Sequence, residues 1–438
     1  MKEALSKFDL EKEHNLDEAA KIVKDITFTK FDASGNFVWA KSMGGAGGEV
    51  GRSLTIDAAH NVYTTGTFTG SPDMNPGAGT SNLTAVGTVD AFISKLDANG
   101  NYLWAKSFGG SGQTQARGIE LGANGSIYLT GYFDGTVDFD PGAGTSNLTS
   151  NGSMDIFISK LDASGNFLWA KKIGGTGLDN SFAIGVDGSD NVYVSGRFQG
   201  TVDFNPGAST NNLVSNGGND VFILKLDASG TYVWAKSFGG TGDDETYAMH
   251  IDANGIVYTT GRFESTMDAD PGAGTSTLTS NGNRDVFISK IDASGNHVWA
   301  KSFGSFSNEQ GHGIDVDASG NVYTTGYYVG TVDFDPGAGT SNVAGYGITD
   351  LFVSKLDALG NFVWAKGMGG TNIEQGHTLA LDNVGNVYTA GRFYGTADFY
   401  PGTGTTNYTS VGADDIYISK LDASGNFKWA HAFGSPQT

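Results

Sequence analysis

Six positions spaced by 65 residues carry large side chains of unlike chemistry: Arg52, Arg117, Phe182, Tyr247, His312 and His377. A second column with the same spacing reads Thr67, Tyr132, Arg197, Arg262, Tyr327 and Arg392. Guanidinium groups make bidentate hydrogen bonds to carboxylates and other oxyanions, and aromatic faces stack on the C–H surfaces of sugars. The first column reads as lying immediately before the innermost strand and the second just past the end of the second strand, so that both ring one mouth of a channel. There these side chains suit a polar ligand, a glycan or another surface polymer. The alternative is that they plug a channel and pair with one another. Three positions before the first column stand Glu49, Asp179, Asp244, Glu309 and Glu374, with Thr114 the exception. These are candidate carboxylates for the same site.

A second constellation is Asp138-Phe139-Asp140-Pro141-Gly142, which recurs with Asp268 and Asp270 and with Asp333 and Asp335. Alternating oxygen ligands followed by Gly resemble the opening of a calcium loop, but no third ligand or distal Glu follows. Asp before Pro-Gly more simply signals a turn held by an Asx hydrogen bond. No cofactor is therefore expected, with calcium as the alternative. No catalytic residues are assigned either. The seven His are scattered, and His-Glu-x-x-His, Gly-x-Ser-x-Gly and phosphate-loop patterns do not occur.

The elements that hold these columns repeat with the same period. All seven tryptophans, Trp39, Trp104, Trp169, Trp234, Trp299, Trp364 and Trp429, lie 65 residues apart. Such a period sets the architecture before any other reading. In one unit, AFISKLD and YLWAKSF flank Ala98-Asn99-Gly100-Asn101, a hairpin whose Gly supplies positive φ. A second hairpin, RGIEL and SIYLTGYF, follows, and then a long Gly-, Ser- and Thr-rich loop able to hold a short strand pair.

Two hairpins per unit predict four strands, and repeated four-stranded sheets bury their apolar faces against one another. The reading is an all-β chain, a β-propeller of four-stranded blades. Six hairpins carry Tyr63, Tyr128, Tyr193, Tyr258, Tyr323 and Tyr388, and seven carry the tryptophans. That count predicts six complete blades plus an extra N-terminal hairpin at 25–44, with a seven-bladed ring as the alternative. An unpaired half-blade is a route to self-association. The Trp and Tyr columns read as packing, and Gly66 and its equivalents as sites where neighbouring sheets approach. Lys95 and Asp97, repeated in every such hairpin, and the lysine two residues after Trp, such as Lys41, read as charges paired across the ladder. Residues 1–24 differ: Asn15 and Glu18 form a capping box for a short helix, an extension ahead of a single propeller domain at 25–438.

NVYTTG, DVFISKLDASG and FVWAKSFGG resemble the bacterial SBBP β-propeller repeat, and GIDVDASGNVYTTG followed by ISKLDASGNFVWAK is distantly similar to the NHL repeat. The resemblance covers about residues 25–434. It implies first strands innermost, fourth strands outermost, and a secreted or cell-surface setting. It defines no activity.

The formal net charge of −21 argues against nucleic acid and anionic membrane surfaces as partners. No run approaches the roughly 20 apolar residues of a membrane span. The absence of Cys excludes disulfide and thiolate chemistry. Met1 to Asp25 lacks the apolar run of a signal peptide, so a secreted protein of this sequence has been trimmed or leaves by another route. The expectation is a non-enzymatic binding or adhesion module with a glycan or protein ligand. A polysaccharide hydrolase or lyase and a structural spacer are the alternatives. On this reading Arg197 and Arg262 can be replaced without loss of the fold.

Overall fold

A computed structural model of the chain describes residues 26–434. These residues form an all-β, propeller-like repeat fold of 34 strands, with no helix among them. The expected helix at 1–24 lies outside the described residues. The chain divides into two compact units. One runs to Ser215 and includes Phe222–Lys236; the other comprises Asn216–Val221 and the chain from Ser237 onward.

The first four-stranded sheet uses Val50–Ile56, Val62–Phe68, Asp90–Leu96 and Tyr102–Gly110, hydrogen-bonded antiparallel in that order. The same order recurs along the chain to a last sheet of Glu374–Leu381, Val387–Asp398, Asn407–Leu421 and Phe427–Phe433. Ahead of them stands the two-stranded hairpin Ile26–Phe31 and Phe37–Met43.

Register explains three of the sequence columns at once. Tyr63 lies opposite Lys95, and Lys95 opposite Trp104, so one row crosses the second, third and fourth strands. The Lys95 ammonium sits 4.5 Å from the Tyr63 ring centroid, and Tyr63 meets Trp104 edge to face at 6.3 Å. Tyr323, Lys355 and Trp364 repeat the row. Cross-strand contacts of this kind are the unit of sheet stabilisation. Four of the tryptophans also reach forward: Trp39 Nε1 donates to Ala98 O at 3.3 Å and Trp169 Nε1 to Ala228 O at 3.4 Å, and Trp299 and Trp364 do the same to Ala358 O and Ala423 O.

The lysine ion pairs differ from the expectation. Lys95 lies 3.9 Å from Asp57, in the turn of the other hairpin of its sheet. Asp97 instead caps its own turn, accepting from the backbone of Asn99 and Asn101 and from the Asn101 amide. That turn requires Gly100 at φ +76°.

The long loop carries the expected strand pair, Thr136–Asp138 with Asn147–Thr149. Its Asp-Phe-Asp-Pro-Gly segment has a packing role. Phe139 is fully buried, 4.9 Å from Phe157 and 5.3 Å from Phe133 between ring centroids. Asp138 Oδ1 accepts from Asp140 N and Ser146 N, and Asp140 Oδ1 from Gly142 N. These are the bonds of the turn reading, repeated at Asp268, Asp270, Asp333 and Asp335.

Candidate functional site

The six large residues of the first column do not precede the first strand, as the sequence suggested; they lie inside it. In every sheet the register between first and second strands skips one residue. The skip falls between Gly51 and Ser53, Ala116 and Gly118, Ser181 and Ala183, Thr246 and Ala248, Gly311 and Gly313, and Gly376 and Thr378. The skipped residues are Arg52, Arg117, Phe182, Tyr247, His312 and His377. Each is the extra residue of a β-bulge, a device that bends a strand and re-aims one side chain.

The bulge also explains the glycine column. A Cβ on Gly131 would stand 1.9 Å from the Gln115 carbonyl oxygen and 2.9 Å from the Phe157 ring, and one on Gly261 1.9 Å from the Glu245 carbonyl. The glycines admit the bulged partner strand of their own sheet, rather than a neighbouring sheet as expected. The second column, Thr67 to Arg392, follows these glycines within the second strand rather than beyond its end. Each member lies opposite the residue two before the bulge, from Val50 opposite Thr67 to Gln375 opposite Arg392.

In the first unit the bulge residues form a basic and aromatic group. Arg117 Nη2 donates to the Tyr132 hydroxyl at 2.6 Å, and its guanidinium lies 5.2 Å from the Tyr132 ring and 5.8 Å from the Phe182 ring. Arg197 approaches the same Phe182 ring at 5.9 Å, and with the Asn180 amide oxygen turned toward it donates at 3.3 Å. Tyr132 in turn donates to Gln115 at 2.8 Å. Arg52 is exposed and close enough to Arg117 for the two cations to repel.

In the second unit the equivalent group is imidazole and phenol. His312 stacks parallel on His377 at 5.3 Å and meets Tyr247 and Tyr327 edge to face at 5.3 and 5.5 Å. Burial, then the neighbouring His377 and the Arg392 and Arg262 cations, push the His312 pKa down to about 4, so the ring is neutral at pH 7. His312 Nδ1 lies 3.2 Å from the Gly376 carbonyl and Nε2 3.1 Å from the Gln310 side chain, and the neutral ring has one N–H to donate between them. Arg262 is buried and paired with Glu245 at 2.9 Å. Arg392 binds Gln375 at 3.0 Å and Asp414 at 2.8 Å.

Sequence reasoning missed the column two residues before the bulge: Gln115, Asn180, Glu245, Gln310 and Gln375. A polar residue at that place in five of six repeats was the available signal. It also assigned the wrong acids. Asp179, Asp244, Glu309 and Glu374 are sealed from solvent, and each accepts hydrogen bonds from backbone amides at the loop ends. They fasten loops and are closed to a ligand. Beside them runs a further buried acid column, Asp90, Asp155, Asp220, Asp285 and Asp350, at the head of the third strand in five of the six sheets. Among the described residues no three His, Asp or Glu side chains come together as a metal-holding group.

No family model matches the chain. An uncharacterized WD repeat-containing protein of Acanthamoeba polyphaga mimivirus is 26% identical over 436 residues, covering 85% of this chain and 31% of that protein. The regulatory protein FlaEY of Caulobacter vibrioides is 29% identical over 205 residues, covering 45% of this chain and 20% of that protein. The chain thus spans a third or less of the length of these relatives. A solved protein of unknown function from Bacteroides caccae aligns over 76% of this chain and 86% of its own at 10% identity, with a TM-score of 0.31.

Proposed function

We propose that this chain is a repeat-based binding module that recognises a glycan or other surface polymer through its bulge residues, at a cell surface or outside the cell. The observation that carries the reading is the contrast between two columns joined by one bulge. The glycine opposite the bulge is the same in all six sheets, because a Cβ there would strike a carbonyl. The bulge residue itself varies among Arg, Phe, Tyr and His. A position under one packing demand would hold one residue type.

The WD-repeat name of the viral relative supports the coarser half of this reading, a binding or scaffold module. The chemistry of the first unit favours acidic groups on the ligand. Arg52 is exposed, and Arg117 is partly accessible and lies against the Tyr132 and Phe182 rings, which suits a carboxylate or sulfate borne on a sugar ring. Hydrolysis is less well supported. A glycosidase needs two accessible carboxyl groups flanking its substrate. The acid nearest the second group, Glu245, is buried and held by Arg262 and Tyr247.

The test is calorimetric titration with polygalacturonate, a sulfated polysaccharide and neutral dextran. Acidic polymers should bind, and Arg117→Ala should weaken them about tenfold, the loss of one charge-assisted contact. Absence of binding to any polymer would leave the structural spacer as the better reading.

A further inference from the structure

One sheet, in the second unit, departs from the repeat at a single place. In the loops beside its strands Val257–Phe263, Asp285–Ile291 and His297–Phe303, four residues have no equivalent in the other five repeats: Glu264, Ser265, Arg284 and Phe306. Ser265 is the sharpest departure. It lies at φ +61°, where Gly70, Gly135, Gly200, Gly330 and Gly395 hold the same left-handed position between +67° and +75°. A side chain rarely adopts that backbone, and residues held in it cluster at ligand sites.

These departures surround a recess of about 310 Å³, lined by Glu264, Ser265, Gly282, Asn283, Arg284 and Asn308. Small-molecule sites span roughly 300–1,000 Å³, so the recess has room for one ring and not for a length of polymer. Arg284 Nε donates to Glu264 Oε1 at 2.7 Å, with the two side chains 34% and 28% exposed. The Asn283 and Arg284 amides donate to Ser307 O and hold the Phe306–Asn308 segment beside Gly282, whose Cβ would stand 2.3 Å from the Phe306 carbonyl carbon. At that rim Phe306 is 89% exposed. Among the described residues the Ser265 hydroxyl, the Asn283 and Asn308 side-chain amides and the two Nη groups of Arg284 make no hydrogen bond within the chain. None of the lining residues belongs to the two variable columns.

We propose that this recess binds one neutral hexose ring. The Arg284–Glu264 pair cancels its own charge, so the recess selects neither an anion nor a cation. It offers a carboxylate that accepts beside a guanidinium and two amides that donate, and two adjacent hydroxyl groups satisfy that pattern. No apolar side chain lines it, which excludes an apolar guest. Phe306 supplies the flat apolar surface on which the C–H side of a sugar ring packs. This site stands whether or not the bulge residues bind an acidic polymer.

The experiment is saturation-transfer NMR on the full chain with glucose, galactose, mannose and glucuronate. At least one neutral hexose should bind in the millimolar range, and glucuronate should bind more weakly. Ser265→Gly restores the residue of the other repeats, and Phe306→Thr the residue of Thr176, Thr241 and Thr371, so neither threatens the fold. Ser265→Gly should weaken the hexose about threefold, the loss of one neutral hydrogen bond. Arg284→Met should weaken it about tenfold, the loss of a charge-assisted one. A methyl glycoside that binds as well as the free hexose supports the site with a glycan end as its source; a glycoside that fails to bind supports it with the free sugar. Binding of no neutral hexose, or parental affinity in the Ser265→Gly, Phe306→Thr double variant, would overturn the site. Tighter binding of glucuronate would overturn the neutral ligand. Acidic polymers read the bulge residues separately, so failure of either site leaves the other standing.

Discussion

Glu245 binds Arg262 at 2.9 Å with the two side chains only 2% and 10% exposed, and the same carboxylate accepts the Tyr247 hydroxyl at 2.6 Å. One buried acid thus positions a member of each variable column. This corrects the expectation that Arg262 is a removable surface residue. Truncating one partner of a buried pair leaves an uncompensated charge, at a cost of about 3–5 kcal/mol. Arg262→Ala should therefore shift the urea midpoint strongly, whereas exposed Arg52→Ala should stay within about 0.5 kcal/mol. A double-mutant cycle with Glu245→Gln measures the coupling. Independent, additive effects would make the pair incidental.

The bulge makes its own demand on the opposite strand. Gly131→Ala places a methyl group 1.9 Å from the Gln115 carbonyl, and the fully buried Phe157 ring blocks retreat. A loss of about 1–3 kcal/mol or more is expected from overpacking of this kind. A methyl group on Gly188 would meet nothing within 4 Å, and that residue has no positive φ. Gly188→Ala therefore serves as the control and should be near neutral. Equal melting temperatures for the two variants would remove the physical reason for the glycine column.

Much of this fold could be read from one row of residues. Tyr, Lys and Trp recur because they are opposite one another in the sheet, and a period of 65 residues shows that without coordinates. The bulge could not be read the same way. An extra residue inside a strand breaks the alternation of the chain just as a loop residue does, so sequence alone puts Arg117 and its equivalents outside the strand. The carboxylates failed for a related reason. Asp179 and Glu374 look like site acids in sequence, but they lie ahead of the bulge and turn to backbone amides. Pairing between Glu245 and Arg262 depends on register across the bulge, which composition does not carry.

The Asp-Pro-Gly loops give a further expectation. Asp138 Oδ1 already accepts two backbone amides, at 3.0 Å from Asp140 and 2.7 Å from Ser146. Its role is to close the turn that drives Phe139 into the core. Asp138→Ala should cost about 1–2 kcal/mol through the lost bonds, and millimolar calcium should leave the melting temperature of the parent chain unchanged. A rise of about ten degrees on adding calcium would demand a real site through ligand linkage.

The buried acids set the pH dependence of stability. Burial raises the pKa of Asp179, Asp220 and Asp285 to about 6 and of Asp244 and Glu374 to about 7, and a nearby carboxylate adds to the rise at Asp179, Asp244, Asp285 and Glu374. Carboxyl groups in unfolded chains titrate near 4. The folded state therefore holds these protons more tightly than the unfolded state. Their contribution is fully present below about pH 4 and is lost as pH rises through 6 to 7. The turn aspartates act oppositely: hydrogen bonds from Asn101 hold Asp97 below its ordinary value, and Asp422 lies at about 2. Their contribution is lost as pH falls below about 4. The melting temperature should accordingly peak in mildly acidic buffer and fall between about pH 5 and 8. Glu374→Gln keeps an acceptor for the Gly370 amide, which bonds Glu374 at 2.9 Å, while removing the titration. That variant should be more stable than the parent at pH 8 and should show a shallower slope. A melting temperature that rises from pH 5 to 8, or a Gln variant with the parental slope, would mean that these acids do not carry the proton in the folded protein.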